Sequence, residues 1–149
     1  MKLKQKIYLV FIKMAKSKVQ LLENRLNDLK ESGANETKST AGDKHETALA
    51  MVQIEQANIR EQFNEALKQL NLLEKINIEI QSDKIINGSL VKTNKGYFFI
   101  SIALGKAIVE ENLVMALSSN SPLGMKLIGL KIGEQVEVNG NKYLIEAME

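Results

Sequence analysis

Two long stretches of the chain carry apolar residues at alternating steps of three and four, and they meet at Ser39-Thr40-Ala41-Gly42-Asp43-Lys44-His45-Glu46-Thr47-Ala48. That spacing keeps one helical stripe facing a partner helix. Before the junction the stripe is Tyr8, Ile12, Ala15, Val19, Leu22, Leu26 and Leu29; after it come Leu49, Val52, Gln56, Ile59, Phe63, Ala66, Leu70 and Leu73. The arrangement predicts an antiparallel helical hairpin with Leu29 level with Leu49, Leu22 with Gln56, Ala15 with Phe63 and Tyr8 with Leu70. Each arm has roughly 30 residues and, at ~1.5 Å per residue, a reach of ~45 Å. A rod of that kind buries little of itself, so its tip is expected to touch something else. Gln56, a polar residue within the stripe, is expected to fix the register.

The first helix is expected to fade at Ser32-Gly33, because glycine just past the last apolar position is a common helix stop. Gly33, Asn35, Thr37, Ser39, Thr40 and Gly42 are poor helix formers and predict a loop. The second helix is expected from Asp43 to about Ile76. At Asn77 the period changes. Ile78 and Ile80 alternate with Glu79 and Gln81, and Ile85–Thr93 and Tyr97–Ala103 flank a turn at Asn94-Lys95-Gly96, a hairpin pattern. Asn112–Leu117 reads as a further strand. Ser121-Pro122 reads as an N-cap with proline at the first helical position, opening a short helix that closes at Gly129. Gln135–Val138, an Asn139-Gly140 turn and Lys142–Ala147 form a last hairpin. The fold class is therefore α+β: an N-terminal antiparallel helical hairpin over 1–76, then a small antiparallel β domain of five or six strands with one short helix over 77–149.

At 149 residues, 44% hydrophobic and 26% charged, the chain suits one medium or two small folded domains rather than a disordered tail. It has no cysteine, which excludes a disulfide framework and a thiolate metal site and is the usage of a reducing compartment. Met1–Lys6 followed by Ile7–Ile12 imitates a signal peptide, but Lys13 interrupts the apolar run and no small-residue cleavage site follows. No stretch has the length to span a membrane. The reading is cytoplasmic. The formal charge of +2 hides a gradient, since Lys2, Lys4, Lys6, Lys13, Lys16 and Lys18 precede the first acid. Such a basic start either steers the chain toward an acidic or nucleic-acid partner or forms a solvated helix face.

No nucleophile and base stand in a catalytic pattern, there is no glycine-rich phosphate loop, and the single His45 has no orienting partner in sequence. A self-contained enzyme is not expected. What remains is Asp43 and Glu46, three residues apart in the first turn of a helix. Two carboxylates on one face can share Mg²⁺, which takes one or two carboxylates and keeps its waters. They can also form half of a two-metal site completed by another protein. Equally, an acid at the N-cap with glutamate at the third helical position is a variant of the capping box. Tyr97, Phe98 and Phe99 present either an exposed strip or core residues, with at least one in the core because neighbours alternate faces.

Gly42-Asp43-Lys44-His45-Glu46-Thr47-Ala48 resembles the tip of the Gre transcript cleavage factors, bacterial proteins that bind RNA polymerase, whose pattern is Gly-Asp-Leu-x-Glu-Asn-Ala. Asn120-Ser121-Pro122-Leu123 and Leu127-Ile128-Gly129 are similar to that family's Asn-Ser-Pro-Ile or Leu and Leu-Ile-Gly. The strand after them, entered through Gly133-Glu134-Gln135-Val136, is similar too. The resemblance implies that residues 1–76 form a coiled-coil hairpin entering the polymerase secondary channel, and that 77–149 form an FKBP-like domain docking at the rim. It implies an accessory factor, not an enzyme, that stimulates the polymerase's own cleavage of backtracked RNA. Asp43 and Glu46 would be the catalytic and metal-holding pair, sharing a second Mg²⁺ with the polymerase near the nascent RNA 3′ end. No membrane, no small-molecule substrate and a monomeric state are implied. The chain departs from the family pattern at Lys44, Thr47 and Leu49-Ala50. Lys44 sets a positive charge beside the cation position, which leaves a non-cleaving secondary-channel regulator as the alternative. A prolyl isomerase ranks lower, because few aromatics are present to line an apolar pocket.

Overall fold

A computed structural model describes the backbone over residues 1–37 and 42–149 and the side chains over 1–33 and 46–149. Helix α1 (Leu3–Thr37) and helix α2 (Gly42–Glu74) come first. Strands β1 (Leu90–Thr93), β2 (Gly96–Ser101), β3 (Gly105–Val109) and β4 (Asn112–Ser118) follow, then helix α3 (Pro122–Leu127) and strands β5 (Gln135–Val138) and β6 (Asn141–Met148). This is the expected α+β fold, a helical hairpin followed by a mostly antiparallel sheet with one short helix. The chain divides into two compact units, Ala15–Leu70 and Met1–Met14 with Asn71–Glu149, so the division cuts across both helices.

In the unit Ala15–Leu70, Leu22, Ile59 and Ala66 are buried between the helices, with Val19, Leu26, Leu29 and Phe63 packed around them. The register differs from the expected one. Gln56 Nε2 donates to the Leu29 carbonyl at 3.1 Å, so Gln56 sits one heptad away from the Leu22 level. A slip of one heptad leaves both apolar stripes facing each other, so periodicity alone does not select between the two alignments. The polar side chain does, by finding an acceptor that would otherwise be paired only within its own helix.

Helix α1 also runs past Gly33 to Thr37. A Cβ added at Gly33 would lie 3.6 Å from Gln56 Nε2 and 3.7 Å from Val52 Cγ1, so the two helices already face each other at that level. Contact across the pair outweighs the ~1 kcal/mol propensity cost of an interior glycine.

In the other unit the sheet order is β3-β4-β2-β1-β6-β5. Neighbours are antiparallel except β2 and β4, which pair in parallel from Tyr97 opposite Val114 to Ser101 opposite Ser118. Three features depart from expectation. β3 was not expected, and it is an edge strand with Ile108 74% exposed, which erases the in-out alternation that marks a half-buried strand. The chain then folds back so that β4 lies between β3 and β2, a placement no tight-turn signal can announce. The segment around Ile78–Gln81 forms no strand, and β1 starts only at Leu90. Before it, Gly88 holds a φ of +97° and the Ile86 amide donates to Ser89 Oγ at 2.9 Å, so the backbone is committed to a turn.

The sheet is covered on both faces. Ile85, Val91, Phe98, Ile100, Leu117, Leu127 and Ile145 form one core, with Leu123 of α3 and Tyr143 against it. Leu90, Phe99 and Ala116 point the other way, as their register requires. There Phe99 meets Phe11 with ring centroids 6.1 Å apart and Tyr8 at 6.3 Å edge-on. Phe98 and Phe99 are thus both core residues on opposite faces, and not an exposed strip.

Two turns share one backbone and differ in chemistry. Asn139 and Gly140 have φ of 51° and 80°, and Glu110 and Glu111 have φ of 49° and 68°. Asparagine and glycine suit this left-handed pair, whereas two glutamates are strained in it. Glu110 is held by an ion pair with Lys6; nothing in the structure explains Glu111. Glu111→Gly is therefore expected to stabilise the protein by about 1 kcal/mol, read as a higher urea midpoint with unchanged m. Gly33→Ala, with room for its methyl, is expected to raise helix stability by about 0.5–1 kcal/mol, read by thermal unfolding followed at the helical circular dichroism band.

Candidate functional site

The two acids singled out in the sequence both lie in the first turns of α2, which begins at Gly42. Glu46 is exposed. The side chains of Asp43, Lys44 and His45 lie outside the described residues. Positions three apart in a helix share a face, so the backbone is compatible with a joint role for Asp43 and Glu46. Among the described residues no three His, Cys, Asp or Glu side chains gather in a way that could hold a metal ion. Glu46 alone among the two acids has a described side chain, an exposed carboxylate. An exposed carboxylate is a donor of the kind hard cations take.

The second motif is built as the sequence predicts. Ser121 is the N-cap of α3, accepting from the Gly124 amide at 3.0 Å while its hydroxyl donates to the Ser118 carbonyl at 2.7 Å. Pro122 follows in the first helical turn, where its missing N–H leaves no donor unsatisfied. Gly124 is demanded by space, since a Cβ there would lie 2.1 Å from the Ser118 carbonyl oxygen. At the other end the Gly129 amide donates to the Ile85 carbonyl at 2.8 Å and Ile85 returns the bond to Leu130 at 2.8 Å. The Ser-Pro to Ile-Gly run thus locks α3 to the segment that enters the sheet, and Met125 and Ile128 are left exposed on its outer side.

The basic start of the chain is not one solvated face. Lys13, Lys16 and Lys18 are exposed, and Lys6 pairs with Glu110. Lys4 is only 6% exposed and continues the buried series Lys4, Ile7, Phe11 on α1. Charge composition hides this residue; the signal that finds it is helical phase, since Lys4 falls three before Ile7 and seven before Phe11. Burial pulls its pKa below the ordinary lysine value, against the upward pull of the Glu149 carboxylate, and Lys2 adds a smaller downward push. Tyr8, which donates its hydroxyl to the Leu73 carbonyl at 3.0 Å, has its pKa raised by burial and then by Glu74.

For Lys4 the folded-state pKa is the lower one, so the folded state carries a charging cost at neutral pH. That cost is relieved as pH rises from the folded value toward the unfolded value of 10.5. Lys4→Met is expected to be more stable than the parent at pH 7, with the difference shrinking as pH approaches 10. Urea midpoints across that range measure it.

Compared with protein-family models and with curated proteins, the chain matches no family model and no curated protein. Among the described residues no helix is long and apolar enough to cross a membrane.

Proposed function

We propose that the chain is an accessory factor of RNA polymerase that enters the secondary channel with its helical hairpin and stimulates the polymerase's own cleavage of backtracked RNA. The observation that carries this reading is the exposed Glu46 carboxylate in the first turns of α2, the second of two long helices that pack against each other. The order of parts supports it, with a hairpin first and a small sheet unit second. So does the Ser121-Pro122 cap with its crowded Gly124, which gives a structural reason for the motif shared with the Gre factors. An FKBP-like identity for residues 77–149, cytoplasmic location and docking at the channel rim belong to the same proposal.

In this role Asp43 and Glu46 would share a Mg²⁺ with the polymerase's carboxylates, and the ion would supply the Lewis acidity that activates a water for in-line phosphoryl displacement. The chain's own task is to deliver and orient two carboxylates on a narrow support. Lys44 stands between them in sequence and would oppose cation recruitment unless its long stem carries the ammonium away. That residue is what favours the second reading, a regulator that occupies the channel without promoting cleavage.

Stalled, backtracked elongation complexes supplied with Mg²⁺ separate the readings. The parent protein is expected to accelerate shortening of the RNA, and Asp43→Asn and Glu46→Gln to reduce that acceleration by at least about tenfold, the loss of one charged ligand. Both variants should bind polymerase as the parent does. Parental protein that binds the polymerase yet leaves RNA shortening at the buffer rate establishes the non-cleaving regulator, and absence of binding removes both readings.

A further inference from the structure

Asparagine followed by glycine occurs twice in the chain, at Asn87-Gly88 and at Asn139-Gly140, and the fold treats the two pairs in opposite ways. An asparagine carboxamide can close a five-membered ring with the backbone nitrogen of the next residue, and glycine at that place leaves the nitrogen unhindered because it has no Cβ. The reaction needs an accessible carboxamide, an uncommitted amide after it, and enough backbone freedom to bring the two together. At Asn87 the last two are missing. Gly88 is buried, its amide donates to the Ile100 carbonyl at 2.7 Å, and the Ile100 amide donates to the Ser89 carbonyl at 3.0 Å. The Ile86 amide is held by Ser89 Oγ at 2.9 Å, and a Cβ at Gly88 would lie 2.9 Å from Ile76 Cγ2. This turn is clamped to the centre of the sheet on one side and packed tightly on the other.

At Asn139 all three are present. Asn139 and Gly140 are both exposed, and neither the Asn139 carboxamide nor the Gly140 amide is hydrogen-bonded to a described residue. The pair forms the two-residue turn between β5 and β6, with φ of 51° and 80°. Ring closure needs a different backbone angle at Asn139 from the one this left-handed turn imposes, so the turn must open first. That opening is local. β5 is a four-residue edge strand with side chains that alternate between exposed and half-buried, and the turn is the free end of its hairpin. The end of an edge hairpin opens at little cost, whereas a buried and bonded turn opens only together with its surroundings.

From these observations we propose that Asn139 is a site of spontaneous covalent modification from which the fold protects Asn87. The Gly140 nitrogen attacks the Asn139 carboxamide carbon, a C–N bond forms, and the carboxamide nitrogen leaves as ammonia with the proton that the Gly140 nitrogen gives up. Water then opens the succinimide at either carbonyl, giving aspartate or isoaspartate. The net exchange is one water taken up for one ammonia released, and no oxidant or reductant takes part. The two products have different fates. Aspartate suits the left-handed turn as asparagine does and only adds a negative charge. Isoaspartate routes the main chain through the former side chain, which lengthens a two-residue turn and disrupts the pairing of Val138 with Asn141 and of Glu137 with Lys142. Lys126 of α3 donates to the Glu137 carbonyl at 3.0 Å, so the disturbance carries from the turn to the tie between β5 and α3. Nothing in the proposed polymerase role uses this turn.

The test incubates the full chain at neutral and mildly alkaline pH, follows conversion at each asparagine by mass spectrometry of the digested protein, and counts isoaspartate by enzymatic carboxyl methylation. Conversion at Asn139 is expected to run at least about tenfold faster than at Asn87, whose turn must first lose its buried hydrogen bonds. It should rise with pH, because the attacking nitrogen reacts in its deprotonated form. In urea, where both turns are lost, the two sites should convert at comparable rates. Protein carrying isoaspartate at position 139 should exchange the amide hydrogens of β5 faster than the parent, and Asn139→Asp should exchange them as the parent does. Equal conversion at the two sites of the folded chain, a preference for Asn139 that persists unchanged in urea, or a folded Asn139 that stays intact while the urea-unfolded chain reacts would each overturn the proposal. The comparison of the two sites within the parent protein decides it even if Asn139→Asp fails to fold.

Discussion

The stacking of Phe11 on Phe99 is the contact on which the sheet unit depends. Phe99 sits at the centre of β2, fully buried, with Leu90 opposite it on β1 and Ala116 on β4. A sheet residue in that position needs a cover, and here the cover is the start of α1, bringing Ile7 and Phe11, both without exposure. Tyr8 adds an edge-on contact to the same ring and ties its hydroxyl to the Leu73 carbonyl at the end of α2. One aromatic on the sheet thus gathers both helix termini that belong to this unit. An isolated sheet with one bare apolar face would have to hide it elsewhere.

That demand changes which residues of α1 are core. Read as one hairpin stripe, the helix puts Tyr8 and Ile12 inward; in the structure Ile7 and Phe11 are fully buried while Tyr8 and Ile12 are only partly so. From Ala15 onward the expected stripe holds, through Leu22 to the partly buried Leu26 and Leu29. The helix therefore serves two partners with different faces, a helix after Ala15 and a sheet before Met14. A single periodic template has no means of expressing a change of partner partway along, because all of Ile7, Tyr8, Phe11 and Ile12 are apolar and the sequence alone is satisfied by either pair.

Features governed by a few adjacent residues were legible in the sequence. These include the Ser121 cap, the Asn139-Gly140 turn, the hairpin at Asn94-Lys95-Gly96 and the change of class near Asn77. Each is a local stereochemical requirement that few residue types meet. What escaped depends on distant parts of the chain: the heptad alignment fixed by Gln56 and Leu29, the exposed edge strand β3, and the parallel pairing of β2 with β4. The candidate site was legible in one respect only, the placement of Asp43 and Glu46 in the first turns of α2. Lys4 was hidden because lysine is ordinarily a surface residue, and counting it among six charges removed the positional information that sets it apart.

Helical phase explains why two lysines so close together have different fates. Lys4 and Lys6 are two residues apart on α1, a rotation of about 200°, so they cannot point the same way. Lys6 reaches the strained Glu110-Glu111 turn and forms a partly exposed ion pair, of the kind that contributes little to stability. Lys4 falls in line with Ile7 and Phe11 and is carried into the interior by the same packing that covers Phe99. Its burial follows from where the aromatic contact fixes the helix rather than from any attraction of its own charge.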